Sequence, residues 1–194
     1  EKYKMEPYPN HRCVHFLYLG RIMKEKGIEE LFYAVRRLKE ENEDFVLDLA
    51  GFFEDIYKKQ VEELEQLGIA HFYGFQSDPR MFYFQSAPRP FYTEADCVVL
   101  PSYHEGMSNV LLEAAATGRP VITSNIPGCR ESVENGKSGL LVEAKNKEML
   151  YQAMKKMLHC SREEREKMGK AGREKMKREF RKEAVVERTV RSLE

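Results

Sequence analysis

The stretch CVVLPSYHEGMSNVLLE, residues 97–113, decides the fold. Its first four residues are apolar and β-prone and Pro101 ends them, so a buried strand spans 97–100. Gly106 interrupts the polar run that follows. Apolar residues return at helical spacing from Val110 and carry a helix over 110–117 to Gly118, with Pro120 just beyond it. Ser108 stands where an N-cap belongs. A strand that passes through a glycine loop into a helix delivers helix amides to the carboxyl end of a sheet. The first of them, those of Asn109 and Val110, point free N–H groups into the crevice there, and a helix start of this kind binds anions, phosphate above all. Gly106 lets the backbone come close to a ligand. Glu105 precedes the helix and Glu113 lies eight residues later, two turns in. They form no acid/base pair on one face, and each reaches a different part of an extended ligand. Carboxylates suit sugar hydroxyls because they accept hydrogen bonds strongly.

The same alternation runs outward in both directions. Residues 14–19 (VHFLYL) form a strand ending at Gly20, and Ile28, Leu31, Phe32, Val35 and Leu38 repeat as one face of a helix to about Glu41. Residues 45–50 (FVLDLA) form a second strand. Val61, Leu64 and Leu67 mark a second helix that Gly68 caps, and 69–73 a third strand. Beyond the 97–113 block, 120–123 open a fifth strand. A turn at Asn135-Gly136 leads to a sixth at 140–142, and 146–193 are helical. Continuous apolar strands alternating with helices predict a parallel sheet covered on both faces. The fold class is therefore α/β: a Rossmann-like parallel sheet of about six strands flanked by helices, with a helical C-terminal tail. Ligands of such sheets bind outside the strand carboxyl ends, so the loops after Leu19, Ala50, Tyr73, Leu100 and Thr123 are where chemistry belongs.

The loop after the first strand, GRIMKEKG at residues 20–27, places cations between two glycines at that edge. Arg21 and Lys26 can neutralise a diphosphate by side chain. The loop is neither a dinucleotide-binding G-x-G-x-x-G nor a P-loop, so a nicotinamide enzyme and a P-loop NTPase are both disfavoured. His104 has the pKa range of a general base, but a loop histidine beside a glutamate is read as structural or solvent-facing.

The chain has 194 residues, enough for one domain with its own core, and 42% of them are hydrophobic. Lys+Arg and Asp+Glu both number 32, which argues against a dedicated nucleic-acid binder. Cys13, Cys97, Cys129 and Cys160 form no C-x-x-C pair, so no metal site is expected, and a reduced cytoplasmic protein is the economical reading. No apolar run approaches the ~18 residues of a membrane span. The polar, proline-containing residues 1–12 read as a linker from a preceding domain, 13–178 as the Rossmann-like domain, and 179–194 as a terminal helix. Residues 75–83 (FQSDPRMFY) and 84–92 (FQSAPRPFY) agree at seven of nine positions, a tandem duplication between the third and fourth strands. It reads as a tolerated surface insertion, with a reshaped loop beside the site as the alternative.

With these blocks in hand, LGRIMKEKGI at 19–28, PSYHEGMSNVLLEAAATGRPVI at 101–122 and NIPGCRESVENGKSGLLV at 125–142, the chain resembles the C-terminal, donor-binding domain of the family-4 retaining glycosyltransferases of GT-B fold. The GCRESVENG block, residues 128–136, is similar to that of bacterial capsule and exopolysaccharide transferases. The resemblance covers residues 16–142, interrupted by the duplication, and extends into the closing helices. It implies a retaining hexosyltransferase that moves a sugar from a nucleotide sugar, UDP-linked in expectation, to a glycan or lipid-linked acceptor. It implies that Gly20, Arg21, Lys26, Ser108, Asn109 and Val110 hold the diphosphate. Glu105, Gly106, Met107 and Ser108 hold the sugar, Glu113 the ribose, and Tyr73, Gly74 and Phe75 the nucleobase. Glu105, Arg21 and Lys26 are the implied catalytic groups, without metal or cofactor. An N-terminal acceptor-binding domain would complete the enzyme, which could then work at the inner face of a membrane, and this chain alone would transfer little. The competing expectation is an isolated or engineered nucleotide-binding module without activity.

Overall fold

The apolar runs lie side by side as strands in the computed structural model, which describes residues 4–75, 82–84, 87–89 and 91–180. In chain order the strands are β1 (Val14–Leu19), β2 (Phe45–Ala50), β3 (Ala70–Phe72), β4 (Phe82–Phe84), β5 (Ala87–Arg89), β6 (Cys97–Leu100), β7 (Val121–Ser124) and β8 (Gly139–Val142). Six of them form one parallel sheet in the order β3-β2-β1-β6-β7-β8. This is the doubly wound arrangement, and its order reverses between β1 and β6. The fourth, fifth and sixth strands of the sheet are thus β6, β7 and β8, because the duplicated segment contributes an antiparallel ribbon of its own, β4 with β5.

The helices are α1 (Ile28–Glu40), α2 (Lys58–Gln66), the short α3 (Phe91–Glu94), α4 (Asn109–Ala116), α5 (Lys147–His159) and α6 (Arg162–Glu179). They flank the sheet, with α1 packed on α5 and α4 on α6. The periodic face of α1 is buried as the spacing predicts, through Ile28, Leu31, Phe32, Val35 and Leu38. Each such side chain is worth about 1.5–3 kcal/mol of burial. Leu67, expected on the buried face of α2, is 49% exposed. The helix ends at Gln66 and Leu67 is its C-cap, because Gly68 at φ 67° turns the chain out of the helix there. The closing helical stretch is two helices, α5 and α6. Ser161 starts α6 with a capping box, its hydroxyl accepting from the Glu164 amide while the Glu164 carboxylate accepts from the Ser161 amide. Residues 181–194, most of the expected terminal helix, lie outside the described residues.

The described part of the stretch read as a linker, residues 4–12, lies against the domain. Tyr8 is buried, its hydroxyl donating to the Asp96 carbonyl. Arg119, 1% exposed, donates to the carbonyls of Glu6, Pro7, Tyr92, Thr93, Thr117 and Gly118. Two of these acceptors, Thr117 and Gly118, sit at the C-terminal end of α4, where a cation is favoured by the helix dipole. A single guanidinium thereby ties the chain start, the end of the duplicated segment and α4 together.

Within β2 the one carboxylate, Asp48, is buried and fully engaged. His15 Nδ1 lies 2.9 Å from Asp48 Oδ2, and Tyr73 Oη donates to Oδ1 at 3.0 Å. Burial pulls the His15 pKa down, but Asp48, Asp96 and Glu94 together outweigh it and the net shift is upward. A raised folded-state pKa contributes stability that is complete below the ordinary imidazole value of about 6.5 and is lost as pH rises through the higher folded value. We expect His15 to titrate above the usual imidazole range by NMR, and melting temperature to fall as pH rises across that value. In Asp48→Asn, burial is left opposed only by the more distant carboxylates, so the His15 titration should move down. An unchanged His15 titration in that variant would contradict the assignment.

Candidate functional site

The order reversal between β1 and β6 opens a crevice at the strand carboxyl ends, and two adjoining clefts occupy it. The first, about 270 Å³, is lined by Leu19, Gly20, Arg21, Ala50, Gly51, Phe52, Phe75 and Val110. The second, about 250 Å³, is lined by Leu19, Gly20, Lys26, Leu100, Glu105, Met107, Ser108, Asn109 and Val110. Leu19, Gly20 and Val110 belong to both, so the clefts run end to end.

The two halves differ in chemistry. In the first, the rings of Phe52 and Phe75 stack with centroids 4.2 Å apart and planes 10° from parallel, and both remain more than half exposed. This is a flat, hydrophobic wall for a planar group. The Arg21 side chain lines this cleft and has no hydrogen-bond or ion-pair partner among the described residues.

In the second, Lys26 Nζ lies 2.5 Å from Glu105 Oε1, with the side chains 20% and 14% exposed, and Ser102 Oγ donates to the same oxygen at 2.9 Å. A pair this sheltered loses little to screening, and removing one member would leave the other uncompensated at a cost of about 3–5 kcal/mol. Lys26 has three donors, so one bond to Glu105 leaves two for a ligand.

Ser108 is the N-cap residue of α4, as the sequence suggests, but its side chain makes no capping bond. Ser161, elsewhere in this chain, does cap. At Ser108 the backbone is held instead by the Gly128 carbonyl, which accepts from the Ser108 amide at 3.1 Å. The amides of Asn109, Val110 and Leu111 therefore have no partner among the described residues, and Asn109 and Val110 line the polar cleft. A cap would be worth about 1 kcal/mol, and its absence leaves the donors open to an anion.

Of the other residues singled out from the sequence, Gly106 belongs to the same loop without lining either cleft, and Met107 forms part of the polar wall. Tyr73 lines neither cleft: its hydroxyl donates to Asp48 and its ring meets Phe91 edge-on. Gly74 takes part through its carbonyl, which accepts from the Gly51 amide at 2.8 Å. Glu113 also lies outside both linings. It follows Val110 by three residues, on the same helical face, and its Oε2 accepts from Tyr92 Oη at 2.8 Å. His104 is exposed and lines neither cleft. Cys129, beneath the loop, is fully buried, and burial first among several causes pushes its thiol up to about 11. Among the described residues no group of three or more His, Cys, Asp or Glu is placed to hold a metal ion, and no helix is long and apolar enough to cross a membrane.

The sequence reading gave no site role to Phe52 or to Gly128, which it noted only as part of the 125–142 block. Phe52 sits in one of the loops that the strand pattern flags, immediately after the glycine that ends β2, and that position was its only signal. Gly128 is the seat of the loop carrying Glu105. At φ 85°, a β-carbon there would lie 1.5 Å from the Gly106 carbonyl oxygen and 2.6 Å from that of Glu105.

With this geometry in view, the comparisons with known proteins place the chain. Residues 8–175 match the family described as glycosyl transferases group 1, and the chain belongs to that family. The capsular polysaccharide biosynthesis glycosyltransferase CapM of Staphylococcus aureus is 28% identical over 175 residues, 88% of this chain and 43% of that protein. The crystallised C-terminal domain of a group 1 glycosyl transferase, LpcC of Francisella tularensis, shares the fold with a TM-score of 0.72 at 23% identity, over 93% of this chain and 89% of that one. Anabaena HepE, solved in complex with UDP, shares it with a TM-score of 0.73 at 18% identity, over 93% and 48%. The chain spans under half the length of the curated relatives it matches.

Gly128→Ala should unfold the floor of the polar cleft, because the added carbon meets backbone that cannot move aside. We expect a loss above about 3 kcal/mol in chemical denaturation. Gly136→Ala is the control, since Gly136 has φ 77° with open space around it. Conformational strain alone should cost it about 1–2 kcal/mol. Equal losses at the two positions would refute the packing argument.

Proposed function

We propose that this chain is the donor-nucleotide-binding half of a family-4 retaining glycosyltransferase of two-domain GT-B type, with a nucleoside diphosphate sugar lying along both clefts. The observation that carries the reading is the division of the crevice: an aromatic wall at one end, and at the other Lys26, Glu105 and uncapped helix amides, with Arg21 free beside the join. The base stacks at Phe75 and Phe52, in the loop region that Tyr73 and Gly74 also supply. Glu113 takes the ribose hydroxyls. The diphosphate spans Gly20, Arg21, Lys26 and the α4 amides at Asn109 and Val110. The sugar meets Glu105, Gly106, Met107 and Ser108.

The chemistry follows from where charge develops. As the bond between the anomeric carbon and the phosphate oxygen breaks, its electron pair passes to the leaving phosphate. Arg21, Lys26 and the helix amides are already oriented to stabilise that charge, and preorganised donors of this kind are the largest single term in many enzymes. The acceptor hydroxyl then forms the new bond on the same face, with retention, and passes its proton to the departing phosphate oxygen. These cations carry the neutralising role without a metal or cofactor. UDP as the carrier is supported by the UDP complex of Anabaena HepE, and a capsule or other surface glycan as the product by the naming of CapM. A second, N-terminal domain supplies the acceptor site, and the C-terminal assignment is supported by the near-complete overlap with the LpcC C-terminal domain. The whole enzyme works in the cytoplasm, at the inner membrane face where its acceptor is lipid-linked.

The test is calorimetric titration of UDP, GDP and ADP into the chain and into Arg21→Ala. UDP should bind best. Loss of one charge-assisted contact, about 1.5–3 kcal/mol, should weaken it by roughly 10- to 100-fold. Failure of all three nucleotides to bind, or UDP binding indifferent to Arg21, would refute the reading.

A further inference from the structure

Glu113 is held before any ligand arrives. Its Oε2 accepts from Tyr92 Oη at 2.8 Å, while Oε1 has no hydrogen-bond partner among the described residues. Tyr92 is 1% exposed, and its own carbonyl accepts from Arg119 Nε at 2.6 Å. The phenol is thus fixed at the ring by burial and at the backbone by the most heavily bonded guanidinium in the described fold. It is also the last residue of the duplicated segment. The corresponding Tyr83 of the first copy lies in the ribbon, its backbone opposite Pro88. The second copy places its tyrosine at Glu113.

We infer that Tyr92 is a positioning residue for nucleotide recognition: it fixes the Glu113 carboxylate in one rotamer, with Oε1 free to accept from the ribose hydroxyls. The inference rests on the proposed role of Glu113 as the ribose-binding group. A glutamate on a helix has several staggered rotamers open to it. A phenol that donates one hydrogen bond removes most of that freedom and uses only one of the carboxylate's roughly four lone-pair positions. Tyrosine suits the task because it is rigid and neutral. A lysine or arginine in its place would hold the carboxylate as firmly but compete with the ligand for it as a charge. The segment between β3 and β6, which reads as a surface insertion, thereby reaches the site at both ends: Phe75 at its start lines the first cleft, and Tyr92 at its end holds Glu113.

The experiment compares UDP with 2′-deoxy-UDP by calorimetry on the whole chain, Tyr92→Phe and Glu113→Gln. Tyr92→Phe removes one oxygen and keeps the buried ring. The parent should prefer UDP by about 10-fold, the scale of one hydrogen bond to a charged group. Tyr92→Phe should bring that ratio within about threefold of unity while binding 2′-deoxy-UDP as before. Glu113→Gln should reduce the ratio at least as far. Equal weakening of both nucleotides in Tyr92→Phe would mark a packing role and overturn the inference. So would an unchanged ratio in Tyr92→Phe beside a collapsed one in Glu113→Gln, which leaves the ribose role of Glu113 standing. A parent without preference, or a ratio that survives Glu113→Gln, would remove the ribose reading itself and the inference with it.

Discussion

The loop that carries Glu105 has no secondary structure of its own, and its place is set by backbone packed directly on backbone. Gly128 leaves no room for a side chain against the Gly106 carbonyl, and its own carbonyl takes the Ser108 amide. On the opposite wall Gly27 stands so close to the Pro101 carbonyl that a β-carbon would fall 2.0 Å from it, and the Tyr103 amide donates to the Glu25 carbonyl. The loops after β1, β6 and β7 are thus clamped together at the carboxyl edge. Lys26 and Glu105, which come from two of those loops and lie 79 residues apart in the chain, meet because of it.

That clamp leaves the crevice electrostatically primed. The Lys26–Glu105 pair is already made, so neither long side chain need be ordered when a ligand enters, and Ser102 keeps the carboxylate in place. The uncapped start of α4 and the unpaired Arg21 supply donors and charge that nothing in the described protein consumes. A helix capped in the manner of Ser161 would be the more stable one in isolation. The difference between the two serines is a local sacrifice of stability.

Much of this was legible in the sequence. The bounds of β1, β2 and β6 fall where the apolar runs begin and end, because strands buried on both faces admit few polar residues. Asp48 is the exception in β2, tolerated because His15 and Tyr73 satisfy it. The cation loop and the 97–113 block were readable because strand, glycine and helix start follow one another without a break. Packing between distant segments was not. Tyr8 and Arg119 form a tertiary lock over residues with no periodicity. The aromatic wall joins Phe52 and Phe75, two exposed residues that no pattern of burial selects. The duplication was visible as a repeat, but the anchoring of its second copy depends on Arg119 and Glu113, and neither lies within it.

The central claim is that one nucleotide lies along both clefts, its phosphates on the uncapped start of α4. Amide chemical-shift mapping by ¹⁵N NMR during a UDP titration tests it most directly. Saturable shifts should appear at Gly20, at Asn109, Val110 and Leu111, and at Phe52 and Phe75, with one dissociation constant for all. Shifts confined to other faces of the sheet, or an α4 start that stays silent while UDP saturates, would contradict the account.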